Sequence, residues 1–243
     1  MAMKRLFLLF CLMLVFRCSM LAGNIYLVSI GITDYPGTKN DLRLPAKDAR
    51  TIQDVYDRNG KATTVALVNS QATKARIKEY VDRLFSKAGK NDVIVLFFSG
   101  HGYKGGFVVY DSFLSYDEIR TMIAKSHAGG KIVLADACFS GKMRTRGRVA
   151  HGSLKNGDKD ELMFFLSSRD DETSIERADM KNGFFTLCLQ KALRGEADAN
   201  RDRTITAREL FNYVSVGVKR LSRNRQHPVM WGRFDDTLAV MSW

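Results

Sequence analysis

Four apolar runs fix the class of this fold before any motif is read. "IYLVSIGI" (25–32), "TTVALV" (63–68), "DVIVLFF" (92–98) and "KIVLADA" (131–137) are short and rich in β-branched residues, with no apolar–polar alternation. Runs of that kind are buried on both faces, as strands of a parallel sheet are when helices cover each side. The segments between them carry a helical period. "PAKDARTIQDVYDRNG" (45–60) spaces Ala46, Ala49, Ile52, Val55 and Tyr56 three and four apart and stops at Gly60. "ATKARIKEYVDRLFSKAG" (72–89) reads as an amphipathic helix with a glycine stop. "SYDEIRTMIAKS" (115–126) is another, opened by Ser115 with Glu118 three residues on, a capping box. Strand "ELMFFLSS" (161–168), helices "GFFTLCLQKAL" (183–193) and "TARELFNYVSVGVKRL" (206–221) and a last strand near "DTLAVMSW" follow. The alternation predicts an α/β fold: one mostly parallel central sheet with helices on both faces. Sites in such sheets sit at the carboxyl ends of strands.

The first 22 residues read differently. Lys4 and Arg5 precede "LFLLFCLMLVF", an apolar run of 11 residues, and Ala22 and Gly23 follow, the pattern of a secretory signal peptide. Residues 1–22 are therefore expected to be a signal. Residues 23–243 are expected to be the exported domain, in the periplasm, at the cell surface or in the medium. Arg17 breaks the apolar run, so no stable membrane span of ~20 residues is expected. Removing Lys4, Arg5 and Arg17, with no acids among residues 1–22, lowers the net charge from +12 to +9. A basic chain suits nucleic acid or anionic membranes. Yet the densest basic run, "GKMRTRGR" (141–148), holds no aromatic residue to stack on bases, so it reads as a cationic loop and no nucleic-acid partner is expected. Two of the four cysteines, Cys11 and Cys18, fall in the signal. Cys138 and Cys188 remain, enough for one disulfide in an oxidising compartment, but the neighbours of Cys138 point to chemistry instead.

Two strand ends are unusual: "SGHG" (99–102) and "DACFSG" (136–141). Gly100 to Gly105 is a literal G-x-G-x-x-G. A dinucleotide loop needs a helix next, however, so that the helix N-terminus meets the pyrophosphate. Here the sequel is "GFVVYD", which is β-like. G-x-x-x-x-G-K-[ST] and G-x-S-x-G are both absent, so P-loop and nucleophile-elbow chemistry are not expected. That leaves His101 as the residue of interest. Cys138 lies 37 residues later, at the end of the next core strand. If a helical crossover sets these strands side by side, their carboxyl ends bring His101 and Cys138 together. A thiol with pKa ~8.5 is mostly protonated at neutral pH, and a nearby imidazole activates it. The backbone N–H groups of Gly102 and Cys138 could form an oxyanion hole.

At these residues the chain becomes recognisable. "FFSGHG" followed by "KIVLADACFSG" resembles the histidine and cysteine motifs of the caspase-like cysteine peptidases, and SGHG with DAC-x-SG resembles the metacaspase-like branch, prokaryotic type. "YLVSIGITDYPG" with "LRLPAKDA" looks like that family's opening strand and first helix. "SSRDDETSIE" and "NGFFTLCLQKALRGEADANRDRTITARELFNYV" resemble its small-subunit half, so the likeness spans 24–240. It implies a caspase-like three-layer fold: a large-subunit-like part (23–143), an exposed basic loop (141–160) and a small-subunit-like part (161–243). It also implies a cysteine endopeptidase acting on protein or peptide substrates as a monomer. Cys138 would be the nucleophile and His101 the general acid, with an acyl-enzyme between. No metal or organic cofactor would be required for the chemistry.

The same pattern sets Asp48, Ser99 and Asp136 around a basic side chain. Carboxylates pair with Arg or Lys by charge-assisted hydrogen bonds, so cleavage after Arg or Lys is expected. Pro45 stands where metacaspases often carry a cysteine, and only Asp111 lies near the calcium-binding cluster of some members. Lys142, Arg144, Arg146 and Arg148 offer self-cleavage sites in the basic loop. Two alternatives stay open. One is a catalytically silent binding module on this scaffold, with calcium dependence as a variant of it. The other is an asparaginyl or aspartyl peptidase of the wider clan, which Asp136 and the lack of Q-A-C disfavour.

A second motif lies at "DANRDRTITARE" (198–209). Asp198, Asn200, Asp202, Thr204 and Glu209 fall at positions 1, 3, 5, 7 and 12 of a calcium loop. Position 6 is Arg203 rather than Gly, and Thr206 with Glu209 also spells a capping box. A structural calcium ion and a simple helix cap both remain open here.

Overall fold

The computed structural model describes residues 23–139, 161–168 and 181–243. The expected signal segment 1–22 and the basic loop 141–160, with its self-cleavage sites, lie outside them.

The four apolar runs form parallel strands of one sheet: β1 (Ile25–Gly31), β2 (Ala62–Val68), β3 (Val93–Tyr103) and β6 (Gly130–Phe139). β7 (Leu162–Leu166) joins them in parallel. β9 (Val229–Arg233) closes the edge antiparallel to β7, giving the order β2-β1-β3-β6-β7-β9. A small hairpin, β4 (Gly106–Val108) and β5 (Phe113–Ser115), hangs from the end of β3. The residues after Gly105 thus form a strand rather than a helix, as the β-like "GFVVYD" predicted.

Five α-helices lie among the described residues: α1 (Pro45–Asp57), α2 (Lys74–Phe85), α3 (Tyr116–Ala124), α4 (Phe184–Lys191) and α5 (Ala207–Leu221). Both expected capping boxes are formed. The Ser115 and Thr206 side chains each accept from the N–H of a glutamate three residues on, and that carboxylate reaches back to the cap. No described helix is long and apolar enough to cross a membrane.

Alternation along the strands divides the core in two. On β3, Ile94, Leu96 and Phe98 pack on one face with residues of α2 and α3, including Ile77, Val81 and Ile119. Val95 and Phe97 pack on the other with α1, α4 and α5, including Ile52, Leu189 and Leu210. The result is three layers: helices, sheet, helices. Phe97 and Phe98 are both fully buried. Each stabilises the fold by about 1.5–3 kcal/mol relative to exposure.

Three features depart from the sequence reading, the first being the edge strand β9, which it does not contain. β3 runs five residues past its apolar core to Tyr103, because β6 on one side and β4 on the other continue its ladder. The last strand, β10 (Ala239–Ser242), does not join the main sheet. It pairs antiparallel with β8 (Thr204–Thr206) in a separate two-stranded sheet.

Candidate active site

The carboxyl ends of β3 and β6 meet in register. Ser99 pairs with Asp136, Gly100 with Ala137 and His101 with Cys138. The expected histidine and cysteine positions are therefore backbone neighbours on adjacent parallel strands, about 4.8 Å apart in the direction of the ladder. Gly102 follows between β4 and β6, opposite Phe107 on one side and Phe139 on the other.

The loop after β1 orients the imidazole. His101 Nε2 lies 2.7 Å from the backbone carbonyl oxygen of Asn40. A carbonyl oxygen only accepts, so Nε2 carries a proton and donates it. Asn40 ends a short 3-10 turn, Thr38–Asn40, within a loop tied down on both sides. Asp41 accepts from the Tyr35 N–H, the Leu42 N–H donates to Thr33 O, and the Thr33 hydroxyl accepts from the Ala46 N–H. Tyr35 supports the histidine from below. Its hydroxyl accepts the His101 N–H at 2.9 Å and donates to Val108 O at 3.0 Å, and its ring centroid is 4.9 Å from the imidazole. Burial holds the Tyr35 hydroxyl protonated, well above the usual range for a phenol. A Cβ at position 100 would come within 2.6 Å of that hydroxyl, so the glycine before the histidine is a requirement of close approach.

The three residues expected to hold a basic side chain lie close together beside this pair. Asp48 on α1, Ser99 on β3 and Asp136 on β6 are all buried. The Ser99 hydroxyl donates to Asp48 Oδ2 at 2.9 Å. The start of α4 and the two residues before it supply partners the sequence did not announce. Asn182 Nδ2 donates to Asp48 Oδ1 at 2.8 Å and to the Thr51 hydroxyl at 3.0 Å, and the Gly183 N–H reaches the same Asp48 oxygen at 3.2 Å. The Thr186 N–H and hydroxyl both donate to Asp136 Oδ2. A Cβ at Gly183 would sit 2.2 Å from that oxygen, so the helix can start here only on a glycine. Burial, and secondly the neighbouring Asp136, push the Asp48 carboxyl up to about 8. Asp48, Ser99 and Asp136 thus form a buried, hydrogen-bonded acidic cluster at the carboxyl ends of β3 and β6.

Ser167, just past β7, was also not anticipated. Its hydroxyl accepts the Ala137 N–H and donates to Ala137 O, both at 3.1 Å, and so holds the residue before Cys138. Gln226 Nε2 in turn donates to Ser167 O. Cys188 lies apart on α4. It is buried and free, and burial raises its thiol to about 11, the behaviour of a small core residue rather than a nucleophile.

The acids of 198–209 are engaged by their own loop. Asp198 accepts from the N–H groups of Asp202 and Arg203, Asp202 from Thr204, and Glu209 from Ala199 and Thr206. Arg203 takes the left-handed conformation (φ 65°) that a calcium loop gives to glycine. Among the described residues no group of three or more His, Cys, Asp or Glu is arranged to hold a metal ion. The loop caps α5 through Thr206 and Glu209, and a calcium ion held by Asp198, Asn200, Asp202, Thr204 and Glu209 stays a proposal.

Comparison with known proteins agrees with this architecture. The family model of the caspase domain matches residues 26–238. No curated protein matches the chain in sequence. Among solved structures, protein GSU0716 from Geobacter sulfurreducens aligns with a TM-score of 0.66 at 17% identity, covering 86% of this chain and 93% of its own. Caspase-1 from Spodoptera frugiperda aligns with a TM-score of 0.65 at 16% identity, covering 91% and 90%. At these identities the two structures speak for the fold.

Proposed function

Because the chain belongs to the caspase-domain family of cysteine peptidases, we propose that it is an endopeptidase of metacaspase-like type that hydrolyses peptide bonds after Arg or Lys with Cys138 and His101. The observation that carries this reading is the register pairing of His101 with Cys138 beside the buried Asp48–Ser99–Asp136 pocket.

In this mechanism the basic side chain before the scissile bond enters the acidic hollow. That sets its carbonyl carbon against Cys138, whose thiol proton passes to His101 Nδ1 to leave the thiolate. Sulfur attacks, the C=O pair moves onto oxygen, and the backbone N–H groups of Gly102 and Cys138 stabilise the oxyanion. Removing one such donor typically costs about 3 kcal/mol in the barrier. Nε2 of His101 is committed to the Asn40 carbonyl, so Nδ1 is the nitrogen that exchanges protons with the reacting groups. It delivers a proton to the departing amine as the C–N bond breaks, leaving an acyl-enzyme. Water, deprotonated by the same nitrogen, then cleaves the thioester and restores the thiol.

Fluorogenic peptides carrying Arg, Lys, Asp or Asn before the dye test the proposal. It predicts turnover of the Arg and Lys peptides alone, abolished in Cys138→Ala. Turnover of the Asp or Asn peptides, or activity that survives Cys138→Ala, would overturn it.

A further inference from the structure

The end of β3 carries a feature the core does not need. Ser99, His101 and Tyr103 stand at alternate positions of the strand, so they face the same side. Successive members are roughly 6.6 Å apart along it. Ser99 belongs to the acidic pocket, and His101 is the group that would protonate the departing amine. The next step in the same direction, away from the pocket, is Tyr103.

Tyr103 is 57% exposed, and its ring meets Phe113 of β5, 37% exposed, edge-on with centroids 6.3 Å apart. The backbone makes room for this pair. Gly106 lies opposite Tyr103 in the β3–β4 ladder, where a Cβ would meet the Leu114 backbone oxygen at 2.3 Å and Phe113 Cζ at 2.8 Å. The other face of the same hairpin is ordinary core, where Phe107 and Leu114 are buried. One face of the hairpin is thus spent on folding, while the other shows two aromatic rings to solvent in line with His101.

We propose that Tyr103 and Phe113 form the subsite for the residue after the cleaved bond, and that this subsite takes a large apolar side chain. This rests on the peptidase reading above, in which His101 serves the leaving amine. The order along β3 gives the geometry: pocket for the residue before the bond, proton donor at the bond, aromatic pair for the residue beyond it. Contact with two aromatic rings favours a bulky apolar side chain over Gly or Asp.

Internally quenched peptides that are identical through an Arg and then carry Phe, Leu, Gly or Asp test this. The wild-type kcat/KM for the Phe and Leu peptides is expected to exceed that for Gly by about 5- to 10-fold. In Tyr103→Ala and Phe113→Ala that ratio falls to about 2 or less, and in Tyr103→Phe it is retained. Val216→Ala, which trims an exposed apolar residue on α5, keeps the wild-type ratio. Equal wild-type rates, or a ratio that survives both alanine substitutions, overturn the subsite and leave the peptidase reading standing. So does a change in sedimentation without a change in ratio, which marks a self-association surface. Failure of the wild type to cut any of the four peptides overturns both.

Discussion

Thr186 gives Asp136 two hydrogen bonds on one oxygen, from its hydroxyl at 2.9 Å and from its backbone N–H at 3.0 Å. The carboxylate of β6 is thereby held by the first turn of a helix more than 40 residues away in sequence. Bonds to a charged, buried acceptor are each worth about 1.5–3 kcal/mol. Thr186→Val keeps the shape and removes the hydroxyl. It is expected to raise KM for Arg peptides about tenfold with little change in kcat, and Thr186→Ser should restore it. Steady-state kinetics on the three proteins checks this.

The shifted Asp48 carboxyl gives the pocket a pH signature. Its value of about 8 lies above the ordinary 3.8, so in the free enzyme the group is protonated below about pH 8. On the proposed Arg/Lys specificity a cationic side chain binds the ionised form, so KM for Arg peptides is expected to fall as pH rises towards 8, by up to about tenfold per unit. Linkage acts on folding in the opposite sense. The stability contributed by the protonated group is complete below 3.8 and is lost as pH climbs to about 8. Asp48→Asn should flatten both trends, read by KM–pH profiles and by urea midpoints across that range.

Much of this was readable in advance. The parallel strands were legible because residues such as Val95 through Phe98 are buried on both faces and leave an unbroken apolar run. The capping boxes at Ser115 and Thr206 were legible because all their atoms lie within four residues. Asp48, Ser99 and Asp136 were singled out through resemblance to a known motif. What stayed hidden depends on distance in the chain. Nothing near Asn182 or Thr186 announces a partner on α1 or β6. The Asn40 carbonyl is backbone and carries no sequence signal. β9 was missed because Val229–Arg233 is short and half-buried at a sheet edge, and the extension of β3 because Ser99–Tyr103 is held extended by its neighbours rather than by its own propensities.

Ser167 bears on stability and, in the proposed mechanism, on catalysis. Ser167→Ala leaves the N–H of Ala137 without its buried acceptor and removes one donor to its carbonyl. An expected loss of about 1–3 kcal/mol follows from an unsatisfied buried group. Because the residue affected immediately precedes Cys138, kcat should fall together with the urea midpoint. A loss of stability with unchanged kcat would mean that the end of β6 is positioned by other contacts.

The most direct check of the His101–Cys138 pairing is to label the protein with a peptidyl-arginyl chloromethyl ketone and locate the adduct by mass spectrometry. A single thioether on Cys138 is expected, with Cys188 untouched. Its rate of formation should fall by roughly 100-fold or more in His101→Ala. An adduct elsewhere, or a rate on Cys138 indifferent to His101, would contradict the account.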